Sequence, residues 1–274
     1  VLDRNLGAIY VHRAGTWWMD LISRGAFGDA RFWELLERRK ARFRERLAAP
    51  KPYRPEVAVL VDEETKLYVK SDFDANRCLL QEVRSAVART GAAVGYYLLD
   101  DFLADVVPPC KAYVFPNAFR LTDEEIEAIR DRLREQNATA VWAYAPGLIG
   151  PDGWDPGRCG RLTGIRLARR DGRQGSEGAG PLEGLSWARS VGVTPRFAVD
   201  DPTAEILGHY RADGAVSAAR TDAGGFASWV FGDMGLTHEI LRAAFEAAGA
   251  HIWTRNGEVV RTDGEYVIVH TGAA

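Results

Sequence analysis

Val57-Ala-Val-Leu-Val61, closed by Asp62, is an uninterrupted apolar run that ends on a carboxylate. A strand lying between two layers of helices reads this way, because both its faces are buried and alternation is lost. The next segment, Asp74 to Arg89, places Leu79, Leu80, Val83 and Val87 at helical spacing. Val94 to Leu99 is a second apolar run, followed by Asp100-Asp101, and Ala112 to Phe115 is a third. Thr122 and Glu125 form a capping box ahead of Ile126, Ile129 and Leu133, so a helix starts there. Thr139 to Ala145 is the fourth run. Strands and helices alternating at this length define an α/β chain with a doubly wound parallel sheet.

Upstream, Pro50, Pro52 and Pro55 make residues 50–55 a stiff, extended linker. Residues 1–49 therefore form one unit and 56–274 another. In the first unit, Leu2, Leu6, Ile9 and Tyr10 recur at helical spacing, with Gly15 as a stop. Thr16-Trp17-Trp18-Met19 reads as a short β-type run ending at Asp20, and a loop follows from Leu21 to Asp29. A charged helix over Ala30–Ala48 carries Phe32, Leu36, Phe43 and Leu47 on one stripe. Its arginines read as a solvated face, since Glu34, Glu37 and Glu45 interleave with them and no stacking platform accompanies them. Helix, strand, loop, helix is the rhythm of a βα-barrel, of which one unit cannot close a sheet.

Downstream, periodicity weakens between Gly147 and Leu185. The glycine-rich stretch Gly172–Gly184 reads as a surface excursion or a mobile lid. Phe197–Val199 is a strand, and Asp200-Asp201-Pro202 turns into a short helix near Ala204–Leu207. Ala215–Ala219 and Phe226–Phe231 are strands that suit a hairpin, and Leu236–Ala248 is a helix ended by Gly249. His251–Thr254, Glu258–Arg261 and Tyr266–His270 read as short strands.

At 274 residues, 46% of them hydrophobic, the chain is long enough to bury a substantial core. Its formal net charge of −3 lacks the basic excess of a general nucleic-acid binder. No apolar run approaches the roughly 20 residues of a membrane span. Three cysteines, Cys78, Cys110 and Cys159, cannot all pair within the chain, which excludes a disulfide scaffold.

The first strand–helix turn, Asp62-Glu63-Glu64-Thr65-Lys66-Leu67, has no glycine fingerprint, and its carboxylates would repel a pyrophosphate. A nucleophile elbow would fall in Ala143-Tyr144-Ala145-Pro146-Gly147, with Ala145 at the nucleophile position. Cys159 is the remaining thiol candidate, and it reads as a small structural residue. The five histidines lack metal-ligand spacing, so neither a metal nor a cofactor is expected. Asp62, Asp101 and Asp200 follow apolar strands, where α/β sheets hold ligands; capping or turn roles compete for each. Trp17 and Trp18 with Asp20 make a sugar-recognition set, indole faces for a pyranose and a carboxylate for its hydroxyls. A core role for the two indoles fits their spacing equally well.

The order of segments resembles the C-terminal half of bacterial glycoside hydrolases of the family-42 β-galactosidase type. Gly15-Thr-Trp-Trp-Met-Asp20 with the helix to Leu47 is similar to the last βα unit of their catalytic barrel. Glu56-Val-Ala-Val-Leu-Val-Asp62, Val114-Phe-Pro-Asn117, Leu121-Thr-Asp-Glu-Glu125 and Val141-Trp-Ala-Tyr-Ala-Pro-Gly147 resemble the β-galactosidase trimerisation domain. That domain is a flavodoxin-like module related to class I glutamine amidotransferases. Ala204-Glu-Ile-Leu-Gly-His-Tyr210 and Ala247-Ala-Gly-Ala-His-Ile-Trp253 also suit these relatives.

The resemblance implies a remnant TIM-barrel unit at 1–49 and a trimer-forming module at 56–274, with a carbohydrate substrate and the bacterial cytoplasm as compartment. Such enzymes use two barrel carboxylates, about 5 Å apart when retaining. The resemblance places both upstream of Val1, in a polypeptide of which this chain is a piece cut at both ends. No catalytic residue is then expected here; Trp17, Trp18 and Asp20 would border the sugar pocket. The alternative is a free-standing α/β hydrolase or ligand-binding protein using Asp62, Asp101 and Asp200.

Overall fold

A computed structural model describes residues 2–20, 25–48, 51–70, 74–188 and 194–271. The four apolar runs become strands β1 (Val57–Val61), β2 (Val94–Leu98), β3 (Ala112–Phe115) and β4 (Thr139–Ala143). All four are parallel, in the order β2-β1-β3-β4, and every residue of β3 and β4 is buried. Helices cover both faces, as the unbroken apolar runs require. The helix α3, built from Asp74–Asn76, a widened turn at Arg77–Glu82 and Val83–Ala88, packs against α7 (His238–Ala247). The others, α4 (Leu99–Leu103), α5 (Asp123–Glu135) and α6 (Pro156–Thr163), pack in succession against one another. With the strand order β2-β1-β3-β4, the right-handed rule for crossovers between parallel strands assigns these two groups to opposite faces.

The capping box forms as expected: Glu125 N donates to Thr122 Oγ1 at 3.2 Å, and Thr122 N donates to Glu125 Oε2 at 2.6 Å. Ile126, Ile129 and Leu133 are fully buried beneath it. Thr122→Ala is expected to lower unfolding stability by about 1 kcal/mol, measurable as a shifted urea midpoint with an unchanged slope.

The sheet is not wholly parallel. Beyond β4 it continues through β13 (Ala227–Phe231), β12 (Val216–Asp222), β11 (Glu205–Tyr210), β8 (Ser176–Gly178) and β9 (Ser186–Trp187), giving nine strands. Strand β13 is parallel to β4, and each later neighbour is antiparallel. The expected hairpin is β12–β13. The segment expected to be a helix at Ala204–Leu207 belongs instead to β11. Asp201 causes the change by accepting from Thr203 N at 3.1 Å and Thr203 Oγ1 at 2.7 Å, which closes a turn that launches an extended chain.

The glycine-rich stretch is neither excursion nor lid, because it holds β8. Gly178 and Gly208 face each other across β8 and β11. A Cβ on Gly178 would lie 1.9 Å from Leu182 O, and one on Gly208 would lie 2.5 Å from the Trp187 ring. Two further short pairings flank the sheet: β5 (Ile149–Gly150) with β6 (Gly153–Trp154), and β7 (Leu167–Arg170) with β10 (Arg196–Val199).

The first unit departs further from its reading. Helices α1 (Leu2–His12) and α2 (Ala30–Ala48) form, but Thr16–Met19 pairs with no strand among the described residues. The expected loop at Leu21–Asp29 lies partly outside the described residues, and Ala26–Gly28 makes one 3₁₀ turn. No residue of α2 is buried, and Leu47, assigned to its apolar stripe, is 78% exposed. The helix is held at its other end by the hairpin β14 (Val259–Thr262) and β15 (Val267–His270). There Arg46 pairs with Asp263 and Glu265, and its guanidinium lies 4.9 Å from the ring centres of both Tyr10 and Tyr266. Asp263 is almost wholly enclosed. His251–Thr254, expected as a strand, is irregular, and its Trp253 N donates to Gly91 O.

Candidate functional site

The two proposed sugar-binding tryptophans have different environments. Trp18 is half-buried and meets Phe32 edge-on at 5.6 Å, while Trp17 stands 72% exposed. Phe32, near the start of α2, also makes edge contacts with Phe27 at 5.4 Å and Trp33 at 5.1 Å. Trp33 Nε1 donates to Phe27 O at 2.8 Å, fixing the 3₁₀ turn onto the helix. Asp20 Oδ2 accepts from Gly25 N at 2.8 Å, so this carboxylate is engaged by the backbone at Gly25. Asp29 caps α2, and the Arg31 guanidinium and amide hold its carboxyl down at about 2. Trp17, Met19, Phe27 and Trp33 are each exposed to solvent. The spacing at 17–20 singles out Trp17, Trp18 and Asp20 alone; helical periodicity assigns Phe27 and Trp33 no face.

The strand-end carboxylates do not converge. Asp62 is buried at the end of β1, where its Oδ1 accepts from Glu64 N at 2.9 Å and its Oδ2 accepts from Thr65 Oγ1 at 2.5 Å. Asn117, beyond β3, donates through Nδ2 to Asp62 O at 2.7 Å and accepts from Asp62 N at 3.0 Å. Thr65 Oγ1 in turn accepts from Phe119 N and Arg120 N, each at 3.1 Å. Desolvation raises the Asp62 pKa even though these hydrogen bonds favour its charge. The crevice between β1 and β3, where the strand order reverses and sheets of this kind hold ligands, is therefore closed by the protein's own polar groups.

Asp101 accepts from Leu98 N at 3.2 Å and caps α4. Asp200 follows β10, outside the nine-stranded sheet, and its backbone exchanges hydrogen bonds with Arg166. Asp62 and Asp101 take the capping or turn roles that competed with the functional reading, whereas after β10 the turn is closed by Asp201.

At the elbow after β4, the left-handed residue is Tyr144 (φ 65°), one position before the Ala145 assigned to the nucleophile. Tyr144 is buried, its hydroxyl donates to Pro195 O at 2.5 Å, and its ring packs against Phe197 and Phe119. Desolvation pushes its phenol well above the usual range. Burial likewise drives the Cys159 thiol up to about 12, so at neutral pH it stays protonated and non-nucleophilic. Beyond the neighbouring β13, Asp233 is fully buried and accepts from Gly175 N at 2.8 Å and Ser176 Oγ at 2.9 Å. It anchors β8 across the sheet end, a role its sequence position did not reveal. Among the described residues, no group of three or more His, Cys, Asp or Glu side chains gathers to hold a metal. No helix there is long and apolar enough to cross a membrane.

The fold is a mixed α/β architecture shared with solved glycosidase chains. The β-galactosidase from Bacillus circulans sp. alkalophilus superposes with a TM-score of 0.62 at 16% identity, over 82% of this chain and 37% of that one. Gan42B, a GH42 β-galactosidase from G. stearothermophilus, gives 0.60 at 16% identity, over 84% and 36%. The exo-β-1,4-mannosidase Op5Man5 from Opitutaceae bacterium strain TAV5 gives 0.53 at 14% identity, over 80% and 39%. This chain thus spans a little over a third of the length of the β-galactosidases it matches. No family profile and no curated protein matches its sequence.

Proposed function

We propose that this chain is the non-catalytic C-terminal portion of a β-galactosidase-like glycoside hydrolase, serving self-association and bordering a sugar pocket. The observation that carries the proposal is the asymmetry of the structural likeness. Over four-fifths of this chain matches, against a little over a third of each β-galactosidase. The order β2-β1-β3-β4-β13, all parallel, supports reading residues 56–274 as a flavodoxin-like trimerisation module, since it repeats the 2-1-3-4-5 order of such folds. Residues 1–49 are then the terminal unit of a barrel, and 50–55 the connection. The closed crevice at Asp62 and the phenol at the elbow support a module without chemistry of its own. The exposed indole of Trp17, beside Trp18 and Asp20, offers a stacking platform for the apolar face of a sugar.

Light scattering tests the association role: a species near three times 30.2 kDa is expected, with no hydrolysis of chromogenic β-glycosides. A monomer that cleaves any of them overturns the reading. Trp17→Ala is expected to abolish fluorescence quenching by galactose while changing stability by no more than about 0.5 kcal/mol. Unchanged quenching in that variant removes Trp17 from the sugar site.

A further inference from the structure

A cavity of about 520 Å³ lies where three parts of the chain meet. Arg4 and Asn5 of α1 form one wall, and Arg84 and Arg89 near the end of α3 form another. Tyr96 of β2 also lines it. The register of the C-terminal hairpin pairs Val259 with His270 and Arg261 with Ile268, and all four of these residues line the cavity. Four arginines and a histidine thus line one space, with Asn5, Ser85 and Tyr96 beside them. No Asp or Glu lines it. Among the described residues, none of these four arginines forms an ion pair, whereas Arg39, Arg120, Arg132, Arg158 and Arg220 each meet a carboxylate.

The arginines are partly positioned already. Arg261 Nη1 lies 3.1 Å from His12 Nε2. Burial and the nearby guanidinium hold the His12 pKa down, so its neutral ring accepts from Arg261. Arg89 Nη1 donates to Gly257 O at 3.2 Å. Both guanidiniums retain further N–H groups, since each carries five. Gathering four like charges without counter-charge costs stability in a protein whose net charge is −3. A bound anion relieves that cost, and guanidinium forks match tetrahedral oxyanions in a bidentate geometry.

We propose that this cavity binds a small molecule carrying two or more tetrahedral oxyanions, as phosphoryl or sulfuryl groups, between α1, α3 and the C-terminal hairpin. One phosphate would engage only part of the guanidinium set, whereas the volume falls in the range of pockets that hold cofactor-sized ligands. The site is separate from the exposed Trp17 and stands whether or not the chain belongs to a glycosidase. Because its walls come from three parts of the chain, the ligand would also fix the N-terminal helices against the α/β domain.

Isothermal titration calorimetry with inorganic pyrophosphate, and in parallel with a disulfated disaccharide, tests this and separates the phosphate from the sulfate source. Saturable one-to-one binding is expected with a dissociation constant below about 1 mM for at least one probe. Arg84→Gln and Arg261→Gln are each expected to weaken it about tenfold. Arg44→Gln, on the exposed side of α2, is expected to leave it unchanged. Thermal melts of all three variants confirm that they are folded. The proposal is overturned by the absence of saturable binding, by an equal loss in Arg44→Gln, or by tighter binding of a hexa-aspartate peptide than of either probe.

Discussion

Trp142→Ala is expected to lower stability by about 3–5 kcal/mol, the loss typical of a large aromatic removed from a filled core. Trp142 is fully buried in β4, stacked on Phe115 of β3 with ring centres 4.0 Å apart and planes 19° apart. Its Nε1 donates to Ser228 Oγ of β13 at 3.0 Å, so one side chain joins three adjacent parallel strands. The alanine variant loses the stack, opens a cavity and leaves the buried Ser228 hydroxyl without this donor. For a chain of this size the melting temperature should fall by roughly 6–20 °C. Trp142→Phe separates the contributions, because it keeps a ring against Phe115 and forfeits only the hydrogen bond and part of the volume. It should cost clearly less. A loss below about 1 kcal/mol in the alanine variant would mean that β3, β4 and β13 close around the space.

The second large effect is expected at Arg46. Replacing it by Met keeps an unbranched stem between Tyr10 and Tyr266 and removes the charge. Asp263, almost wholly enclosed, would then keep Arg13 as its one cation, at 3.8 Å, and the amides of Glu265 and Tyr266, which donate to its Oδ1 at 3.1 and 3.0 Å. Breaking a buried pair from one side typically costs about 3–5 kcal/mol, chiefly through the stranded partner. Arg46 joins α2 to the β14–β15 hairpin, so the damage should be local. Hydrogen exchange is expected to accelerate in α1 and in the hairpin, while the amides of β1, β3 and β4 keep their protection. Arg46→Met combined with Asp263→Asn should lose less than the sum of the single changes. Strict additivity would show that the two groups do not share an interaction.

How much of this was legible in the chain depends on where each signal is written. Val57–Val61 and Thr139–Ala143 declare themselves because strands buried on both faces need no partner to be recognised. The Thr122–Glu125 box is equally local, and its bonds form as read. Strand β11 was hidden by a four-residue window, too short to show its period, in which Asp201-Pro202 resembles a helix start. Strand β8 was hidden by glycines present for a long-range reason, the close approach of Leu182 and Trp187, which local composition turns into apparent looseness. At the candidate site, adjacency in sequence treats the two tryptophans alike, and only tertiary contact separates Trp18, which packs, from Trp17, which stands exposed. The cationic cavity was invisible in sequence: its four arginines are spread from position 4 to position 261, and a net charge of −3 conceals them.

The pairing of β4 with β13 has a consequence for the order of events during synthesis. When Ala143 has been added, the open edge of β4 is complete, but its permanent neighbour begins at Ala227, more than 80 residues later. At about 5–20 residues per second, ribosomes leave that edge without its neighbour for roughly 4–17 s. For that interval the emerging chain presents a largely apolar strand with free backbone donors and acceptors, the kind of surface that recruits other chains. The first elements to follow β4 are the hairpin β5–β6 and α6, and among the described residues none of the strands made before β13 pairs with β4 on that edge. Cells making this protein therefore carry a window of vulnerability set by connectivity alone, which no measurement on the finished fold would show.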